Sequence, residues 1–462
     1  MQDTTLFAGM DLSSPTSCSS PDDAARLIEP PRLRRPDRRQ VLLEPCCLED
    51  RLPANHPART IWAVAKRLDL SRFYAAIAAR GSEPGRAATD PRLLVALWLF
   101  AATEGVGNGR ELDRLCREHD AYRWLCGGVG VNYHTLNDFR VAHEAALDDL
   151  FTKVLATLMH HEVVAVTRIS QDGTRVRASA GASSFRSRPT LEQRLREAQA
   201  HVEELKKQAE ESPAESARQR AAQERGARER ASRLERAMAE LPQIEAAKAA
   251  LRADKPSKRQ PPRVSLPVRR TQTGMTDPEA RKMKMGDGGF RPAYNVQLAA
   301  DARSRAIVGV EVTNEGTDNR QSEAMRRQVE RRTGRRVEEH LLDGGYMNLE
   351  VIERTETSGV RLYLPVHPNL GRTGKGQRAG PGVRAWRACL RAYPHRQERM
   401  ETSEAKTIYR QRAATSETVN ADLKTHRGLR GFGVRGLANV RCVALWSALA
   451  YNVMRFSEWL MA

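Results

Sequence analysis

Two aspartates and a glutamate, far apart in the chain, sit in patterns suited to metal-ion chemistry. Asp172 lies in Gln171-Asp172-Gly173-Thr174, and Asp343 in Leu342-Asp343-Gly344-Gly345-Tyr346. Each stands at the end of an apolar, strand-like run. Glu417 falls in a segment that reads as one helix with Tyr409, Arg412 and Lys424, and Lys424 follows it by seven residues on the same face. Carboxylates are hard oxygen ligands that suit Mg²⁺. Three that meet in space can hold two Mg²⁺ ions about 3.5–4 Å apart, an arrangement that cleaves and joins phosphodiesters. Arg412 and Lys424 would then face phosphate, one as a planar fork and the other as a point charge. Glu404 is the rival for the third carboxylate, and the spacing to Lys424 favours Glu417. An isolated Asp-Gly is more often a turn, so the reading rests on the three acids together.

The rest of the composition agrees with phosphate as the target. The chain of 462 residues carries a formal charge of +19. Such a charge favours a polyanion, either nucleic acid or an anionic membrane surface. From Leu423 to Ser457 there is no acid, while Lys424, Arg427, Arg430, Arg435, Arg441 and Arg455 are basic, which reads as a phosphate track. The longest apolar run, Leu93 to Ala102, is half of the ~20 residues a membrane span needs. The N-terminal stretch has no apolar signal region. No membrane partner is expected. The seven cysteines form no CxxC pair and are odd in number, which argues against a disulfide framework or zinc site and for a reducing cytoplasm, where a DNA partner would make the protein nucleoid-associated. Gly371-Arg372-Thr373-Gly374-Lys375 only superficially resembles a phosphate loop, and neither HExxH nor GxSxG occurs, so neither ATP nor zinc is expected.

The elements that must position these residues fall into blocks. Residues 1–47 read as a tail with a basic run from Arg32 to Arg39. Residues 48–160 read as all helical, with a start at Asp90-Pro91 and a break at Gly127-Gly128-Val129-Gly130. Short helices and tight turns suit a helix-turn-helix-like DNA-binding domain, although a plain bundle has the same periodicity. Residues 161–460 form the catalytic domain. Strand character begins at Val163 and runs to Val176. An insertion follows at 190–254, where Leu191, Leu195, Ala198, Val202, Leu205 and Ala209 make a heptad seam resumed by Leu234, Met238 and Leu241 after a turn at Ser212-Pro213. This predicts a coiled coil or a helical hairpin. A basic, proline-rich linker spans 255–275. Strands then follow at 294–298, 306–312, 340–343 and 361–366, with helices at 322–332, 403–426 and 438–460 and a Gly/Arg/Lys loop at 371–384. The order describes a mixed α/β sheet interrupted once. Asp287 and Asp301 read as turn residues, Asn295 and Gln297 as candidates to line the site, and Trp98, Trp124 and Tyr133 as core.

In this order the motifs resemble the bacterial insertion-sequence DDE transposases of the group with a YREK signature around the last carboxylate. The resemblance runs through His56-Pro57-Ala58-Arg59, Leu68-Asp69-Leu70, residues 120–128 (DAYRWLCGG) and 132–140 (NYHTLNDFR). It continues through Gln171 to Thr174, Thr276 to Ala280, Tyr294 to Gln297, Asp343 to Tyr346 and Tyr409 to Lys424, and ends at Arg427-Gly428-Leu429-Arg430 and Val434-Arg435-Gly436-Leu437. It implies an RNase-H-like fold in which Asp172, Asp343 and Glu417 converge as catalytic metal ligands for two Mg²⁺, with Mn²⁺ able to substitute. It implies double-stranded DNA as partner, through terminal inverted repeats and target, with Tyr409, Arg412, Lys424, Arg427 and Arg430 at phosphates. Cutting two ends in concert implies a homodimer or higher assembly. One departure stands out. The usual signature is Y-x₂-R-x₃-E, but four residues separate Arg412 from Glu417, which leaves Arg410 as an alternative. A catalytically silent DNA-binding repressor is the alternative function. A helical scaffold ranks last, since it leaves the strand-end aspartates unexplained.

Overall fold

The computed structural model describes residues 47–77, 87–211, 217–253, 271–365 and 394–462. Residues 1–46 of the expected tail, the Ser212-Pro213 turn, residues 255–270 of the linker and the 371–384 loop lie outside the described residues.

Eight strands occur among the described residues: β1 (Arg168–Arg177), β2 (Phe185–Ser187), β3 (Gln272–Gly274), β4 (Arg281–Lys284), β5 (Phe290–Asp301), β6 (Ile307–Thr313), β7 (Glu339–Leu341) and β8 (Arg361–Tyr363). β1 pairs antiparallel with β5, from Ile169 opposite Asp301 to Arg177 opposite Ala293. Its other edge pairs parallel with β7, which pairs parallel with β8. β4 and β6 lie along the far edge of β5, both antiparallel to it. The spatial order β6-β5-β1-β7-β8 is the RNase-H-like mixed sheet that the resemblance implies.

β1, β5, β6, β7 and β8 match the predicted strands. β4 and the β2–β3 ribbon do not, because they are three or four residues long and mostly polar. Asp301 is a turn residue as expected. Its carboxylate accepts from Val166 N at 3.0 Å and from Ser304 N and Oγ at 2.8 and 2.7 Å. Asp287 likewise accepts from Gly289 N.

The described residues of the N-terminal region form helices joined by turns, with no strand among them and the longest helices at Pro91–Thr103 and Glu144–His160. Pro91 fits the first turn because its missing N–H is not needed there, and Asp90 caps Arg92 N at 2.8 Å. The apolar run Leu93–Ala102 is buried on every face, so it is a core helix. The C-terminal helix Leu437–Arg455 packs against this region and against β6, which makes one continuous core of the two. Trp446 Nε1 donates to Arg140 O at 3.1 Å, and Asn452 bridges Ile307 N and O at 2.9 and 2.8 Å. Trp98 is buried under the Arg140 guanidinium, while Trp124 and Tyr133 are half-buried under Arg59 and Arg110.

The insertion is a helical hairpin, Arg188–Glu211 against Ala217–Ala253. Leu191 and Ala198 of the first helix pack on Ala231, Leu234, Ala237 and Leu241 of the second. The heptad seam is therefore filled within one chain. No described helix is long and apolar enough to cross a membrane.

Candidate active site

The parallel pairing of β1 with β7 brings the two aspartates together. Ser170 lies opposite Leu341; Asp172 stands two residues further along β1, and Asp343 two residues beyond Leu341, just past the end of β7. Asp172 accepts from Gly173 N at 3.0 Å and from Asn420 Nδ2 at 2.9 Å. Asp343 caps a short turn, accepting from Gly345 N at 2.8 Å. Burial, and then the neighbouring Asp343 carboxylate, push the Asp172 carboxyl up from 3.8 to about 6, against the opposing pull of Arg412 and the two hydrogen bonds.

The third element is one helix with a defect. Ser403–Arg412 and Thr418–Thr425 are α-helical, and Ala413–Glu417 between them is a π-turn. A π-turn takes one residue more than an α-turn, so residues five apart become neighbours. The Arg412 guanidinium accordingly reaches Glu417 Oε1 at 3.3 Å. The extra residue in the signature is thus absorbed locally, and Arg412 keeps its face toward the aspartates while Arg410 is exposed. The Oγ atoms of Ser416 and Ser170, 2.5 Å apart and buried, pin the π-turn to β1.

Tyr409 and Lys424 flank the same site. Burial raises the Tyr409 phenol, and Arg412, Asp343 and Asp172 all act on it. Burial lowers the half-buried Lys424 ammonium, and the Asp172 carboxylate opposes this. Glu417 is not drawn up to the aspartates, since its side chain is 63% exposed on the Arg412 side. Among the described residues no three acidic, histidine or cysteine side chains gather closely enough to hold a metal ion. Arg430 is exposed, with Nε on Lys424 O at 2.9 Å, at the end of the helix.

Arg427, expected at a phosphate, makes its contacts within the fold. Its side chain is only 10% exposed and pairs with Asp422 at 2.6 Å, with the guanidinium over the Tyr451 ring. The half-buried Asp422 carboxylate and the buried Tyr451 ring hold it inward.

Beneath the aspartates lies a polar cradle. Asn295 Nδ2 and Gln297 Nε2 both donate to Asp318 Oδ1 at 2.6 Å. Gln297 Oε1 accepts from Gln171 Nε2 at 2.8 Å and from Tyr346 OH at 2.5 Å. Asn295 and Gln297 are fully buried, so they support the site from below instead of lining it. Asp318 and Asn420 escaped the sequence reading. Thr317-Asp318-Asn319 ahead of a helix looks like an ordinary cap, and Asn420 shows only as a polar position on the helix face already carrying Lys424.

Gly173 is required by this cradle. A Cβ there would overlap Asp318 Oδ1 and Gln297 Nε2. Gly173→Ala is expected to cost about 1–3 kcal/mol of stability by overpacking. It should also displace Asp172 and so lower any activity of the site about 100-fold. Urea unfolding and a single-turnover assay check the two effects separately.

The donor set fits a divalent cation. Burial and the Asp343 carboxylate both oppose charge on the hard Asp172 carboxylate, and an adjacent positive ion would offset that cost. Asn420 Oδ1 is a further buried oxygen with no hydrogen-bond partner among the described residues.

Comparison with protein families agrees with this geometry. Residues 46–142 match the family described as Transposase domain (DUF772), and residues 264–453 match Transposase DDE domain. No curated protein and no solved structure matches. Asp343 and Glu417 fall inside the second match, and Asp172 lies between the two, on the strand that β5 and β7 flank. The chain belongs to the insertion-sequence DDE transposases.

Proposed function

We propose that this transposase, of the YREK-signature group, binds double-stranded DNA at the terminal inverted repeats of its element and cleaves and transfers strands with Asp172, Asp343 and Glu417. The observation that carries the reading is the parallel register of β1 and β7, which brings Asp172 within the field of the Asp343 carboxylate just past the end of β7, with the Asp172 carboxyl pushed to about 6. The three carboxylates would hold two divalent cations, Mg²⁺ or in its place Mn²⁺. Bound there, the cations supply activation of water or a DNA 3′-OH and stabilisation of the leaving oxygen. Glu417 leaves Arg412 to join the aspartates, which frees the Arg412 fork for a phosphate. Lys424, Arg430 and Tyr409 lie beside it, and Arg427 braces the helix from within. Residues 48–160 serve as the helix-turn-helix-like DNA-binding region. Two or more copies assemble on DNA, through a surface other than the filled heptad seam.

The test is nicking of DNA that carries the sequences flanking the gene, with Mg²⁺ and with EDTA. Cleavage at the element ends only with Mg²⁺ supports the reading. Glu417, turned outward, is the one observation favouring a silent DNA-binding repressor, and DNA binding with no cleavage under either condition would select that alternative.

The π-turn makes a separate prediction. Deleting Ala414 returns the helix to α-geometry with Arg412 and Glu417 four residues apart and still on one face, so cleavage is retained. Adding one alanine at the same point rotates Glu417 by about 100° relative to Tyr409, and cleavage is lost. Equal loss in both variants would show that the π-turn itself, and not the shared face, matters.

A further inference from the structure

We infer that the root of the helical insertion holds a backbone phosphate of the bound DNA, well away from the carboxylates. The observation is a pocket of about 360 Å³ lined by Arg186, Arg194, Arg230, Arg233 and Arg435, with Thr276 and two apolar side chains and no acid in its lining. These arginines come from four places: β2, the first insertion helix, the second insertion helix and the segment before the C-terminal helix.

Like charges do not gather around one space without cause. Three of them are pre-set by the protein. Arg186 is tied to the Ser183 and Phe185 carbonyls, Arg435 Nε to Ser179 O at 3.3 Å, and Arg233 to Glu229 at 3.2 Å. Arg194 pairs with Glu197 at 3.0 Å on its own helix, and Arg230 makes no hydrogen bond or ion pair among the described residues. Guanidinium forks held in place around a concavity suit the oxygens of a phosphate group.

The surroundings favour a polymer over a free anion. The pocket shares Arg233, Thr276 and Arg435 with a larger cleft of about 880 Å³, which continues to Arg110 of the helical region and is mixed in charge, with Asp138, Glu229, Glu240, Asp277 and Glu279 in its lining, so the acid-free lining is confined to the pocket. The pocket lies beyond Arg177, at the far end of β1. Arg177 is five residues, about 17 Å of extended strand, from Asp172. That span is roughly five phosphates of one DNA strand at 3.4 Å each. The hairpin, whose seam is satisfied internally, thus acts as a DNA-holding arm. The inference rests on the DNA-cleaving reading above.

The test uses the full chain and two 30-base-pair duplexes, one of arbitrary sequence and one carrying the element end, titrated over a salt series by fluorescence anisotropy. Arg194→Ala/Arg230→Ala is expected to lower the slope of log K against log salt by about 1 and to weaken binding equally on both duplexes. Arg230→Ala alone, at an exposed position, is the fallback should the double variant fold poorly, with a smaller change in the same direction. An unchanged slope in a folded variant overturns the inference. So does an unchanged slope combined with a wild-type-only rise in Tm on adding inorganic pyrophosphate, which would mark a free-anion pocket. If the wild type binds neither duplex at low salt, the DNA-cleaving reading itself fails. Binding with an unchanged slope sinks only this inference.

Discussion

Asp343→Asn is expected to lower Mg²⁺-dependent cleavage by about 1,000-fold or more while DNA binding survives. The substitution keeps the shape of the side chain and the carbonyl oxygen that caps Gly345 N, so the turn after β7 stays in place. What it removes is the charge beside Asp172. Glu417→Gln is expected to act in the same way, since its carboxylate is exposed and its loss leaves the fold unchanged. Single-turnover cleavage alongside binding separates the outcomes. If binding falls as far as cleavage, Asp343 is a structural residue and its assignment to the cation site is wrong.

Asp172→Asn should stabilise the metal-free protein even as it destroys activity. The Asp172 carboxyl titrates at about 6 in the fold against 3.8 as its ordinary value, because burial and Asp343 oppose its charge. An acid whose pKa is raised by folding binds its proton more tightly in the folded state. Stability therefore falls as pH rises from about 4 through about 6, and is flat above. At about 1.4 kcal/mol per pH unit the loss is roughly 3 kcal/mol. A neutral amide at this position carries no such penalty. In EDTA at pH 8 the variant is therefore expected to be more stable by up to about 3 kcal/mol, with the two proteins converging near pH 4. Mg²⁺ should then stabilise the wild type and leave the variant unmoved. A variant less stable than wild type at pH 8 in EDTA would sink this account of the carboxylate pair.

Much of this arrangement is legible in the sequence. Strands β1 and β5 to β8 show as apolar runs bounded by turns, and the two aspartates show as acids at strand ends. Their meeting depends on register, Ser170 opposite Leu341, which no local pattern reveals. The one-residue departure around Arg412 is visible, but its resolution is not, because a periodicity of 3.6 cannot show where a helix takes an extra residue. Asp318 hides as a cap before a helix. Arg427 reads as part of a basic track, and its hold on Asp422 and Tyr451 inside the fold does not show there. For the register, Asp318 and the Tyr451 ring the missing information is a long-range contact; for the π-turn and the Asp422 pair it is local geometry that residue spacing does not show.

The most direct test of the cation site is Asp343→Cys assayed for cleavage with Mg²⁺ and with a thiophilic cation, Mn²⁺ or Cd²⁺. A thiolate is a poor ligand for Mg²⁺ and a good one for softer ions. Asp343 as a metal ligand predicts no cleavage with Mg²⁺ and recovery with Mn²⁺ or Cd²⁺. Cleavage undiminished with Mg²⁺ would contradict it.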